Sequence, residues 1–181
     1  METEFNHVLL QKQLKNLDVL PIKIADILLE KGIKVAIAES ITGGDLCSSL
    51  VKVAGASDFI SGGIVAYSNF IKVNECTVNP KTIKQFGAVS SQTTLEMAAG
   101  IKKRFHSDIS IATTGFAGPQ RQQERVGLVF IALDIEPRPI SKEFFFSGSR
   151  KEIIEQTTFS ALELLRYYIN KIGRASCRER V

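Results

Sequence analysis

Hydrophobic positions along this chain recur at helical spacing and strand spacing in alternation. Phe5, Val8, Leu9 and Leu14 fall near one face of a helix predicted over 5–17, which stands apart from the main pattern as an N-terminal helical appendage within residues 1–20. Pro21 suits the first turn of the next helix, whose residues Ile24, Ile27 and Leu28 lead to Lys31 before Gly32 stops it. Residues 34–38 are short, apolar and partly β-branched, as a buried strand requires. The turn Glu39-Ser-Ile-Thr-Gly-Gly44 feeds a helix with Leu46, Leu50 and Val53 inward.

The alternation continues to the end of the pattern. A strand is predicted over 59–67, loosened by the Gly62-Gly63 pair, then a helix over 69–73. Pro80 opens a short helix that Gly87 closes, and Ser90 or Ser91 caps a longer one with Leu95, Ala98, Ala99 and Phe105 on its stripe. Strands follow over 109–113, 126–133 and 140–146, the last two joined by a turn around Pro137 and Pro139. A final helix over 150–170 turns Ile153, Ile154, Thr157, Ala161, Leu164 and Tyr168 inward. Helices alternating with short strands predict a three-layer α/β domain over 21–171. The adjacent final strands make its β-sheet mixed.

Length and composition agree with one such domain. A chain of 181 residues with 44% hydrophobic content can bury roughly two-thirds of its unfolded surface. No apolar run approaches the ~18 residues of a membrane span. The acidic start, Met-Glu-Thr-Glu-Phe, lacks a signal-peptide core, so the expectation is a cytoplasmic protein with no membrane partner.

The net charge of +4 changes meaning at the C-terminus. Residues 172–181, Ile-Gly-Arg-Ala-Ser-Cys-Arg-Glu-Arg-Val, match no preceding pattern and read as the translation of a sequencing adapter, a non-native tail. Arg174, Arg178 and Arg180 against Glu179 give that tail +2. The remainder is close to neutral, which removes most of the argument for nucleic acid. The tail also takes Cys177, leaving Cys47 and Cys76, too few for a disulfide framework or a zinc module.

Three stretches combine glycine with hydroxyl or amide side chains at predicted strand ends. They are Glu39 to Gly44, Tyr67-Ser-Asn-Phe-Ile-Lys72 and Thr114-Gly-Phe-Ala-Gly-Pro119. Ligands of open α/β sheets gather at the carboxyl ends of strands. The dinucleotide fingerprint and the P-loop are both absent. Only His7 and His106 exist, and neither falls at these strand ends, so a Ser-His-Asp triad and a histidine metal site are not expected. A lysine serves as base instead when burial or neighbouring cations lower its pKa. Lys72, five residues after Tyr67, is placed for that; a solvated helix lysine is the plain alternative, as an N-cap is for Ser40.

Seven blocks occur in one order: Ala38 to Gly44, Gly55-Ala-Ser57, Gly62 to Asn69 with Lys72, Gly87-Ala-Val-Ser90, Thr114 to Pro119, Val126-Gly127 and Phe146 to Arg150. The series, from Ile22 to Tyr168, resembles the CinA C-terminal domain family in its stand-alone form, whose enzymatic members are nicotinamide-nucleotide amidohydrolases. The resemblance implies a three-layer α/β/α sandwich that needs no cofactor or metal. It implies a small-molecule nucleotide as partner and a homodimer as the family expectation. It further implies deamidation of nicotinamide mononucleotide to nicotinic acid mononucleotide and ammonia; a non-catalytic module binding a pyridine nucleotide or phosphate ligand is the alternative. Carried over, Ser40 is the nucleophile and Lys72 its base, with Tyr67 assisting. Thr42, Gly43, Gly44, Asn69, Thr114, Gly115 and Gly118 line the site. Arg150 is the candidate for the substrate phosphate, and the backbone amides near Gly43 and Gly44 are candidate donors to the oxyanion. Glu39 orients neighbours, and Ser90 is a helix cap first. Two departures stand out: Ile41 replaces a common cysteine, and 120–125 replaces a longer glycine-rich loop, which bears on substrate choice.

Overall fold

Aliphatic residues alternate with small ones over 35–38, 109–112 and 131–133, and that alternation builds the domain. The computed structural model describes residues 19–119 and 125–172. The helix predicted over 5–17, most of the departing loop and residues 173–181 lie outside them. Five strands, β1 (Val35–Glu39), β2 (Ile60–Val65), β3 (Ile109–Gly115), β4 (Leu128–Asp134) and β5 (Ile140–Phe145), form one sheet in the order β2-β1-β3-β4-β5. β1 runs parallel to β2 and β3, while β4 is antiparallel to β3 and β5. The sheet is mixed, as the final hairpin predicts.

Register aligns like with like. Ile37 pairs with Ile111 and Ile111 with Leu133, whereas Ala38 pairs with Ala112 and Ala112 with Ala132. Successive residues face opposite sides of a sheet, so one face is aliphatic and the other is paved with alanine.

Helices cover both faces. On the aliphatic side lie α1 (Leu20–Lys31), α2 (Asp45–Val51), the one-turn α3 (Ala56–Phe59) and α7 (Arg150–Lys171). Ile24, Leu28, Leu46, Leu50, Leu162 and Leu165 are buried there among the strand isoleucines, and each such side chain contributes about 1.5–3 kcal/mol. On the alanine side lie α4 (Asn69–Glu75), α5 (Pro80–Phe86) and α6 (Ser91–Phe105), where Met97, Ala98, Ile101, Cys76 and Val78 pack on Ala36, Ala38, Ala112 and Ala132. Small strand residues let α6 lie close to the sheet. The result is a three-layer α/β/α sandwich, and among the described residues no helix is long and apolar enough to cross a membrane.

Three details differ from the sequence pattern. Phe59 ends α3 rather than opening β2, because its ring is fully buried in the aliphatic core. Ala99 is exposed: the buried stripe of α6 runs through Thr94, Met97, Ala98 and Ile101, and Ala99 falls about 100° beyond Ala98. Ile172, assigned above to the tail, packs against the core, and its carbonyl accepts a 2.5 Å hydrogen bond from Lys31 Nζ. Ile172 therefore belongs with the core rather than with the tail.

The parallel strands β1, β2 and β3 end on one rim. Ser40, the segment from Ala66 and the Thr114-Gly115 pair emerge there together.

Candidate functional site

Ser40 is fixed by the last rungs of the sheet. Its N–H donates to Thr113 O at 3.0 Å, and the Ala66 N–H donates to the carbonyl of the preceding Glu39. The chain then turns sharply into α2, and the Glu39 side chain holds that turn. Glu39 is only 1% exposed, and its carboxylate accepts from the N–H groups of Gly44 (2.9 Å), Leu46 (3.1 Å) and Cys47 (2.8 Å). These are the orphan donors of a helix start, where a negative charge is favoured. Glu39 thus orients its neighbours, as expected.

Lys72 approaches Ser40 from α4. Ser68 caps that helix by accepting from the Ile71 N–H, and Lys72 is the only buried residue of α4, at 2% exposure. Its Nζ donates to Ser40 Oγ at 2.8 Å and to Ala66 O at 2.7 Å. Burial lowers the amine from the ordinary lysine value to about 8. At pH 7 about one molecule in ten then carries a neutral amine, against fewer than about one in a thousand for an ordinary lysine. A buried serine held against a partly neutral amine has the arrangement that nucleophile–base chemistry requires.

Around the pair is a cleft of about 550 Å³, within the usual range for small-molecule sites. Tyr67, Asn69, Thr114, Gly115, Gly118 and Arg150 line it with Ser40 and Lys72. Arg150, the first residue of α7, is positioned by a capping box between Ser149 and Glu152. Its Nη1 donates to Gly118 O and its Nη2 to Tyr67 Oη at 3.2 Å. Both partners are neutral, and among the described residues Arg150 forms no ion pair with a carboxylate. Thr114 Oγ1 donates to Ala88 O at 3.0 Å. Ser90 is the cap of α6, and its Oγ and that of Thr93 both donate to Gly87 O, which fixes the neighbouring cleft wall.

Thr42, Gly43 and Gly44 do not line this cleft. Thr42 is buried with its Oγ1 2.9 Å from Thr113 Oγ1, and the Gly44 N–H is committed to Glu39. Gly44 therefore supplies no oxyanion donor; it belongs to the scaffold under Ser40. Sequence reading also missed an apolar wall of Ile41, Ala88, Val89, Phe116 and Ala117. The Gly87 to Ser90 and Thr114 to Pro119 blocks carried its signal, hidden by attention to their polar members. A second cavity of about 650 Å³ lies between α1, α2 and α7. It is larger but holds none of the residues above, and its Ser49 hydroxyl is turned onto Asp45 O.

Comparison with known proteins agrees with this fold. The family model described as the CinA C-terminal domain matches residues 18–169. A CinA-like protein of Dictyoglomus turgidum is 41% identical over 145 residues, covering 79% of this chain and 35% of that protein. This chain thus spans about a third of the length of such curated relatives. The crystal structure of a competence or damage-inducible protein from Enterobacter asburiae superposes with a TM-score of 0.81 at 33% identity, covering 84% of this chain and 98% of that one. The competence/damage inducible protein CihA from Agrobacterium tumefaciens gives 0.81 at 34% identity, covering 86% and 96%. From the seven blocks to the superposed sandwich, the chain belongs to the CinA C-terminal domain family.

Proposed function

We propose that this domain is a nicotinamide-nucleotide amidohydrolase that converts nicotinamide mononucleotide and water to nicotinic acid mononucleotide and ammonia. The observation that carries this reading is the 2.8 Å contact between Lys72 Nζ and Ser40 Oγ. In the neutral amine this contact runs the other way, with the serine hydroxyl donating. Ser40 Oγ then attacks the carboxamide carbon as Lys72 takes its proton. Collapse of the tetrahedral intermediate breaks the C–N bond, and Lys72 returns that proton to the departing nitrogen, which leaves as ammonia. Water, deprotonated by Lys72, next attacks the acyl carbon and frees the carboxylate and Ser40. Lys72 thus serves both halves of the reaction as base and then acid.

The rest of the cleft suits the remainder of the substrate. Phe116 and the aliphatic wall match a pyridine ring, while Asn69 and Thr114 offer polar contacts to a ribose. The Arg150 guanidinium, which among the described residues forms no ion pair, suits a phosphate. The test is ammonia release from the mononucleotide by the purified protein and by Ser40→Ala. Release by the parent and not by the variant supports the reading. Binding without release by the parent favours a non-catalytic pyridine-nucleotide module.

A further inference from the structure

Lys72 sits on a seven-residue helix that buries nothing else of its own, so something beyond α4 must hold its amine in place. The cap residue of α4 is Cys76, one turn after Lys72 and on the same helix face. Cys76 is fully buried against Met97, Ala98 and Ile101. Next comes Thr77 at φ 53°, a left-handed conformation that a β-branched residue adopts only under strain. The Val78 N–H then folds back to donate to Lys72 O at 3.0 Å. This turn lies directly on α6 at Gly100. A Cβ there would collide with the Cys76 carbonyl and stand 2.5 Å from Thr77 Oγ1.

A glycine in the interior of a 15-residue helix weakens it relative to alanine. Here the bare Cα is what allows the approach. We propose that Gly100 and the strained Cys76-Thr77 turn form a seat that positions the Lys72 amine against Ser40. Gly100, Cys76 and Thr77 are positioning residues; none of them lines the cleft. The proposal rests on the reading of Ser40 and Lys72 as a nucleophile–base pair.

The seat also governs how dry the amine is. Among the described residues, the titratable and charged groups around it are Cys76 on its own helix, Tyr67 and Arg150 across the cleft, Glu39 next in sequence to Ser40, and the Glu75–Arg104 pair bridging α4 and α6. Glu39 is held by three amides, and burial pushes the Cys76 thiol up to about 11, so this neighbour stays neutral near pH 7. Lifting the turn off α6 would admit water beside the amine and lengthen its reach to Ser40.

The experiment titrates Lys72 directly, by NMR of protein labelled with ¹³C at lysine Cε, the resonance being assigned from Lys72→Arg. The wild-type midpoint is expected near 8. Gly100→Ala should move it upward by about one unit toward the ordinary lysine value, with about a tenfold loss of kcat/KM at pH 7. Cys76→Ser, which puts a hydroxyl beside the amine, should move it the same way. Ala99→Gly, an exposed change in the same helix, should lower the melting temperature and leave the midpoint in place. If Gly100→Ala does not fold, Cys76→Ser decides. Folded variants that keep the wild-type midpoint overturn the seat. A wild type titrating near 8, with the variants shifted but no ammonia released, supports the seat and overturns the amidohydrolase reading instead.

Discussion

Arg150 Nη2 donates to Tyr67 Oη across 3.2 Å, joining residues 83 positions apart at the mouth of the cleft. The same guanidinium also holds Gly118 O. It therefore ties the end of β2, the segment after β3 and the start of α7 into one rim. A phosphate arriving there would exchange neutral partners for a charged one, which strengthens the hydrogen bonds.

Arg150→Ala is expected to raise KM for the mononucleotide at least about tenfold while lowering kcat much less. Steady-state ammonia release measures both. The corresponding nucleoside, which lacks the phosphate, should show little change in KM. Equal effects on the two substrates would remove Arg150 from phosphate recognition.

Ser40→Ala and Lys72→Ala should each abolish most activity, and the double variant should be scarcely worse than either. Groups acting as one unit behave in this way, whereas independent contributions multiply. The three rates can be compared in one assay, with circular dichroism confirming the fold. A multiplicative double variant would break the pair.

Lys72 also ties stability to pH. Its folded value of about 8 lies below the unfolded value near 10.5, so protonation is harder in the folded state. The destabilisation is fully present below pH 8 and disappears as pH rises through 10.5, on the order of 3 kcal/mol in all. The stability of Lys72→Met relative to wild type should therefore decline by about that amount between pH 7.5 and 10.5. Urea unfolding at the two pH values tests it. For kcat/KM, the acid limb should rise with a midpoint near 8.

Glu39→Ala leaves three amides of the α2 start without an acceptor and should destabilise the domain by about 3 kcal/mol. Glu39→Gln keeps one acceptor oxygen and should lose less. Thermal melts rank the two. If Glu39 itself transferred protons, Glu39→Gln would be inactive while remaining stable.

Deleting residues 173–181 should leave the melting temperature unchanged. Extending the deletion through Ile172 removes a side chain packed on the core and an acceptor of Lys31, and should lower it by a few degrees, about 1 kcal/mol. Differential scanning calorimetry of the two truncations separates them. A drop with the shorter deletion would show that the tail packs.

Much of this architecture is written locally. The Val-Ala-Ile-Ala run of β1 and the glycine after Lys31 mark a strand and a helix stop without help from the rest of the chain. Ala99 and Phe59 depart from their pattern because the place of each depends on which neighbour lies above it, and periodicity does not hold that information. The site divides the same way. Ser40 is visible as a hydroxyl at a strand end, but Lys72, 32 residues away, sits in a helix with no apolar stripe to orient it. Only the family resemblance linked the two. The resemblance puts Thr42, Gly43 and Gly44 in the cleft, and composition does not correct it: a glycine-rich turn before a helix reads the same whether it serves a ligand or a carboxylate such as Glu39.

The alanine row Ala38–Ala112–Ala132 makes the domain lopsided in what change it can absorb. A larger residue anywhere in the row acts as a wedge that lifts α6, and with it the Lys72 side of the cleft. The aliphatic face is a thicker cushion, where side chains can be exchanged for others of similar volume. Thermal hardening is therefore best sought between the sheet and α1 or α7. Changes of chemistry must instead pass through the thin layer, where a single methyl group is a large displacement.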